Sequence, residues 1–257
     1  MTQKPSILAD RAVISVLGSE AHEFLQRVIT TDMKLVTPGI IRPGALLTPQ
    51  GKIICDFLIH GTDDGVMIDI HADAAEALVK RLTLYRLRAK AEIALRPDLK
   101  VIAGDGATDP RSPDLPLRKI ASADGDEAEI PNLASDEITA GIPTFGRDYG
   151  EAEVFPTDVN LDLYDGIGWR KGCFIGQEVL SRMKRRGTIR KRSVRVTADN
   201  SLEAGHDILA GDTPIGTLTS ASGNQAVGRI RTDRLETAQA TPTVNGQPVT
   251  IIVPERD

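Results

Sequence analysis

Apolar residues in the first third of the chain recur with two different periods, and the switches between them mark out the elements. The run "AVISVLG" (12–18) predicts a strand. Directly after it Ala21, Phe24, Leu25, Val28 and Ile29 fall at i, i+3, i+4, i+7 and i+8, one face of a helix, with Ser19 in position to cap its start. The stretch "GALLTPQGKIICDFLIHGTDDGVMIDI" (44–70) holds apolar runs broken by Pro49-Gln50-Gly51 and Asp63-Asp64-Gly65, which predicts consecutive antiparallel strands. Asp73 and Glu76 then give a D-x-x-E start for a helix carrying Leu78, Val79, Leu82 and Tyr85 on one side, and "AKAEIAL" (89–95) reads as a further strand. Residues 103–136 are rich in Asp, Pro, Gly and Ala without a sustained period, and predict a loop with one short strand. Beyond Arg192, short runs such as "SVRVT", "DILAG", "PIGTLTS", "AVGRI" and "VTIIV" predict a small all-β terminal domain. Strands in pairs beside helices, rather than strict alternation, make the fold class α+β.

Composition narrows the functional classes. The 257 residues are enough to bury a sizeable core, and no run reaches the roughly 18 uncharged apolar residues that a membrane span needs, so a soluble protein with no membrane partner is expected. Cys55 and Cys173 lie far apart with no CxxC or Cys/His pair near either, which predicts neither a disulfide framework nor a metal site. Both suit a reducing compartment, and the cytoplasm is the expected location. The net charge of −5 conceals a cluster: Arg182 to Arg192 holds seven Lys or Arg and no acid, and without those seven the chain has 24 basic against 36 acidic residues. Such a cluster reads as a local anion site, or as a solvated helix end, rather than the broad basic face that nucleic acid requires.

The cluster follows the most chemically loaded stretch, "WRKGCFIGQEVLSRMKRRGTIRKR" (169–192). Ile175, Val179 and Met183 at i, i+4 and i+8 predict a helix starting near Ile175 or Gly176, which sets Cys173 just before its N-terminus. Free backbone N–H groups there favour a thiolate, as do Arg170 and Lys171. A buried structural cysteine is the other reading of the same residues. Gln177 could read a heterocycle edge, and Glu178 suits the first turn of a helix. No G-x-S-x-G, H-E-x-x-H or Walker A motif is present, which argues against hydrolytic chemistry. One cysteine supplies one ligand where an iron–sulfur cluster takes about four, so any cluster role must borrow the others.

Taken together, "KGCFIGQE" (171–178), "LLTPQGKIICDFLI" (46–59), "FLQRVITTDM" (24–33) and "RKRSVRV" (190–196) resemble the YgfZ-type tetrahydrofolate-binding proteins, relatives of the aminomethyltransferase (T-protein) of the glycine cleavage system. The resemblance runs from about Val13 to Leu235. It implies a three-lobed aminomethyltransferase-like fold around a central folate site, with a small C-terminal β-barrel domain. The implied division is a discontinuous first lobe of 1–45 with 140–192, an inserted lobe of 46–112, a connecting loop region of 113–139 and a C-terminal β domain of 193–257. The implied function is a tetrahydrofolate-binding accessory role in iron–sulfur cluster assembly or repair, with assembly proteins or client enzymes as partners. Cys173 and Lys171 are the candidate catalytic residues; Asp148, Gln177, Glu178, Arg190 and Arg192 are the candidate cofactor contacts. Cys173 stands where the aminomethyltransferases carry Asp, which argues against glycine-cleavage chemistry, and Phe174 stands where the family most often has Tyr. The alternatives are a folate-dependent one-carbon transferase and, behind it, a nucleic-acid binder connected with tRNA modification.

Overall fold

The computed structural model describes residues 4–122 and 128–255. Residues 123–127, within the expected connecting loop, lie outside the described residues, as do the outermost residues of the expected first lobe and C-terminal domain. In chain order the elements are β1 (Ser6–Leu8), β2 (Arg11–Leu17), α1 (Ala21–Val28), β3 (Ile41–Leu47), β4 (Ile53–Thr62), β5 (Gly65–His71), α2 (Ala72–Arg86), β6 (Glu92–Leu95), β7 (Leu99–Ala107), β8 (Arg118–Ser122), β9 (Ala128–Ile130), α3 (Ala134–Ala140) and α4 (Gln177–Arg185). They are followed by β10 (Lys191–Ala198), β11 (Asp207–Ala210), β12 (Thr213–Ser222), β13 (Gln225–Arg231), α5 (Thr232–Thr237), β14 (Pro242–Val244) and β15 (Gln247–Ile252).

The apolar runs that predicted β2, β4 and β5 are unbroken because their sheet is covered on both faces. This five-stranded sheet, in the order β3-β4-β5-β2-β6, is antiparallel throughout. On one face Ile14, Val16, Ile59 and Ile68 pack with Phe24 and Leu25 of α1 and Leu78 and Leu82 of α2. On the other, Val13 and Met67 meet Leu8, Val101 and Ala103 of a second sheet, β8-β7-β1-β9. The predicted cap of α1 moves by one residue: Glu20, not Ser19, precedes the helix, and its carboxylate accepts a hydrogen bond from Lys90 N (2.8 Å) instead of capping α1.

The described residues of 103–136 are more ordered than a loop with one strand. They hold the end of β7, all of β8 and β9 and the start of α3. Strands as short as β1 and β9, three residues each, have no period of their own; they form because β1 pairs with β7 on one side and β9 on the other, a contact between sequence-distant segments. The expected boundary at 45/46 falls inside β3, and β2 and β3 share a sheet with β4 and β5, so these segments of the first and inserted lobes form one layer. The C-terminal strands close into a six-stranded barrel, β10-β13-β12-β11-β14-β15, filled by Val194, Val196, Ile208, Leu218 and Ile230.

A chain of buried charges ties these units together. Arg11 of β2 pairs with Asp69 of β5 (2.6 Å), Asp69 with Arg118 of β8 (2.7 Å), and Arg118 with Asp109 (3.3 Å). Asp109 pairs with Arg111 (2.8 Å), Arg111 with Glu137 of α3 (3.1 Å), Glu137 with Arg147 (2.9 Å) and Arg147 with Asp148 (2.8 Å). Asp148 then accepts hydrogen bonds from the hydroxyls of Thr219 and Ser220 on the barrel strand β12, both at 2.6 Å. Burial alone would raise the Asp69 carboxyl, but Arg11 and Arg118 hold it well below the usual range; burial likewise opposes Arg111 and Arg118 at Asp109, which they bring down to about 2.

Asp69→Asn leaves Arg11 and Arg118 without their shared anion and is expected to destabilise the protein by about 3–5 kcal/mol in urea unfolding. Both carboxylates are ionised in the fold well below their unfolded pKa of about 4. Their contribution to stability is therefore complete above about pH 4 and is lost as the pH drops toward 2, and Asp109→Asn should flatten that acid limb.

Candidate functional site around Cys173

The loop that carries Cys173 is built by contacts with two of the other stretches that carry the resemblance. Lys171 is buried, and its Nζ donates to the carbonyls of Ile29 and Thr31, both at 2.7 Å, just past α1. Gly168 N donates to the Thr30 carbonyl between them (2.8 Å). Phe174 is buried in a cluster with Leu47, Ile53 and Leu180, and the Lys171 Nζ lies 4.9 Å from its ring centre. Gly176 precedes α4 in a left-handed conformation (φ +80°), and a Cβ there would stand 2.7 Å from the Thr48 carbonyl. The loop is thus fixed to α1 at one end and to the β3–β4 turn at the other. Between the buried side chains of Lys171 and Phe174, Cys173 is exposed.

Burial lowers the Lys171 ammonium to about 7, with Asp32 offsetting part of the cost. A neutral amine keeps two hydrogens, enough for the two carbonyls it serves. Lys171 points inward, and its amine holds the loop through these two carbonyls.

The candidate cofactor contacts do not converge. Asp148 Oδ2 accepts from Thr144 N and Arg147 Nε (2.9 Å each) and Oδ1 from Thr219 and Ser220, so both oxygens are committed to joining the barrel to the rest. Arg192 forms a two-pronged pair with Asp162 (2.5 and 2.9 Å) and donates to the Thr157 carbonyl (2.9 Å). Arg190 is exposed, and its carbonyl accepts from Thr232 N. Gln177 and Glu178 do lie together, in a surface groove with Trp169, Arg170, Arg182 and Arg185.

The central space between the lobes is lined by other residues. Its deep recess, about 20 Å³ bounded by Arg11, Asp56, Tyr149 and Tyr164, has room for about one water. Asp56 is held there with its carboxyl raised by burial, the Tyr149 phenol, Arg11 and Arg111 offsetting part. An outer cleft of about 560 Å³, within the range of small-ligand sites, shares Arg111 and Tyr164 with the recess and adds Arg42, Ile142 and Arg195. The Arg42 guanidinium pairs with Asp165 through Nη1 (3.5 Å), while its Nε is buried without a hydrogen-bond partner among the described residues. The outer cleft combines the size of a small-ligand site with one aromatic ring, Tyr164, and with guanidinium groups set among the carboxylates of Asp109, Asp165 and Glu255, while the recess is too small for the ring of a folate. Sequence reasoning missed Asp56, although a carboxylate inside the apolar run "IICDFLI" was its signal.

Comparison with known proteins bears on the whole assembly. Residues 190–256, which contain the barrel, match the family described as CAF17, C-terminal beta-barrel domain. The iron–sulfur cluster assembly factor IBA57, mitochondrial, of Homo sapiens is 28% identical over 87% of this chain and 73% of its own length. The IBA57 homologues of Pyricularia oryzae and Mycosarcoma maydis are 31% and 29% identical over 78% and 75% of this chain. The chain is similar to these proteins in sequence. It spans 60% and 57% of the two fungal homologues, a little over half of their length. The crystal structure of glycine cleavage system aminomethyltransferase T from Bartonella henselae aligns with a TM-score of 0.75 at 17% identity, covering 98% of this chain and 84% of that one. That likeness establishes the three-lobed, aminomethyltransferase-like α+β fold with its terminal barrel. The expected cytoplasmic location is overturned, because these relatives are mitochondrial by name. Among the described residues no helix is long and apolar enough to cross a membrane.

Iodoacetamide at neutral pH should alkylate Cys173 and spare Cys55, which is buried with its thiol pushed well up by desolvation, until the protein unfolds; peptide mass spectrometry reads both. Because the fold favours the neutral amine of Lys171, the folded state releases a proton between pH 7 and the unfolded pKa of about 10.4. Stability relative to Lys171→Met should therefore rise with pH across that window in urea titrations.

Proposed function

We propose that the chain is a YgfZ-type accessory protein of iron–sulfur cluster assembly or repair, which presents the Cys173 thiol to a cluster or its carrier and holds a folate in the central cleft. The observation that carries this reading is the exposed thiol on a loop pinned by Lys171 and Phe174, an arrangement that spends buried contacts on holding one soft ligand in the open. The names of its relatives support the same process. A cluster as substrate takes one ligand from Cys173 and the remaining ones from the carrier, client enzyme or small thiols. The cations a folate tail would meet in the cleft are Arg195 and Arg42, the latter shared with its ion-pair partner Asp165, in place of Arg190 and Arg192.

Asp56 favours a second reading. A half-buried carboxyl whose pKa is raised by desolvation is suited to proton transfer, which a folate-linked one-carbon transferase would use. Formaldehyde release from a methylated amine donor, lost in Asp56→Asn, separates that activity from an accessory role.

Cys173→Ser keeps the size and a hydroxyl but loses the sulfur donor. In cells lacking the protein it is expected to fold normally yet fail to restore the activity of iron–sulfur enzymes; full rescue at native expression would remove the thiol from the function. Calorimetry with tetrahydrofolate should show binding that Cys173→Ser preserves and Arg42→Ala weakens, the polyglutamylated form more than the monoglutamate.

A further inference from the structure

The basic cluster is left unexplained by the central cleft. Arg170, Arg182, Lys184 and Arg185 line a groove between the 169–170 segment and the outer face of α4, with Trp169, Gln177, Ser181 and Glu178 as the other walls. Among the described residues none of these four cations has a carboxylate within ion-pairing distance; Lys184 lies 4.1 Å from the Trp169 ring centre, and Arg185 Nε donates only to the Ser181 carbonyl. The contrast with the interior is sharp, since Arg11, Arg111, Arg118, Arg147 and Arg192 are all paired. Helix capping does not account for the groove: Arg170 lies before α4, outside its C-terminal turn. In the chain, Cys173 sits between Arg170 and α4, exposed.

We infer that the groove is a docking surface for an acidic protein, which it orients with a thiol-reactive or cluster-bearing group at Cys173. Charge complementarity selects the occupant. Nucleic acid suits it less: α4 is nine residues, about 13 Å long, its one flanking aromatic is already covered by Lys184, and the chain outside 182–192, with 24 basic against 36 acidic residues, repels an extended polyanion. This inference rests on the proposed role of Cys173 and specifies the partner's chemistry.

The test uses the full chain and mixed-disulfide formation. The probes are a glutamate-rich octapeptide and a serine/glutamine-rich one, each with a single cysteine activated as the thionitrobenzoate disulfide. The Cys173 thiolate attacks the peptide sulfur, the new protein–peptide disulfide forms, the thionitrobenzoate anion leaves, and the thiol proton goes to solvent. Cys55 is buried and does not compete. The acidic peptide should react about tenfold faster than the neutral one at low salt, with the advantage shrinking as salt rises. In the Arg182→Glu/Lys184→Glu/Arg185→Glu variant, with its circular dichroism unchanged, the ratio of the two rates should fall to one or below. Equal rates in the unaltered protein, or an unchanged ratio in the variant, would overturn the inference. Stronger protection of Cys173 by a 20-mer single-stranded RNA than by polyglutamate at physiological salt would reassign the groove to nucleic acid. Full cellular rescue by Cys173→Ser would remove the proposed thiol function while leaving the rate ratio intact, so the two failures are distinguishable.

Discussion

The architecture depends on an alternating series of four arginines and four carboxylates that runs from β2 to the barrel. Each inner member touches an opposite charge on both sides, so the series is electrically neutral although Asp69, Asp109, Arg118, Glu137 and Asp148 are buried. Desolvating such groups is costly, and the cost is offset only while every partner is in place. The series therefore specifies relative placement as much as it supplies stability. Apolar contacts fill the layers and join the two sheets, and the charges add a second, directional link that runs on through α3 to the barrel.

The thiol loop obeys the same logic on a smaller scale. Lys171, Phe174 and Gly176 each meet a segment far away in the chain, so the position of Cys173 is inherited from the end of α1 and the β3–β4 turn. That explains why three stretches that carry the sequence resemblance, far apart in the chain, form one contiguous structure. The fourth, around Arg192, joins the barrel to Asp162 and Thr157. Its basic character is structural there, while the cations on α4 remain free for solvent or a partner.

Long periodic segments were legible in the sequence: α1, α2, the β3–β5 meander and α4 carry their burial pattern in their own residues. The short strands β1 and β9 were not, because only pairing across the chain makes them strands. Function-bearing residues divided in the same way. Cys173 announces itself through glycines, cations and a helix start within a few positions. Asp148 and Arg192 were cofactor candidates through the family resemblance, which carries positions but not partners; the fold supplies Thr219, Ser220 and Asp162. Asp56 and Arg42 gained their interest only when the cleft closed around them.

The hydroxyl clamp on Asp148 also has a temporal meaning. On a ribosome the carboxylate emerges about seventy residues ahead of Thr219 and Ser220, the two donors that satisfy its Oδ1. Until β12 arrives, that oxygen has water for company and the 144–148 segment has no reason to settle in its final place. The barrel is thus the last to be synthesised of the pieces that line the central cleft, and the nascent chain carries its thiol loop, with all of that loop's anchors already synthesised, before the cleft is complete.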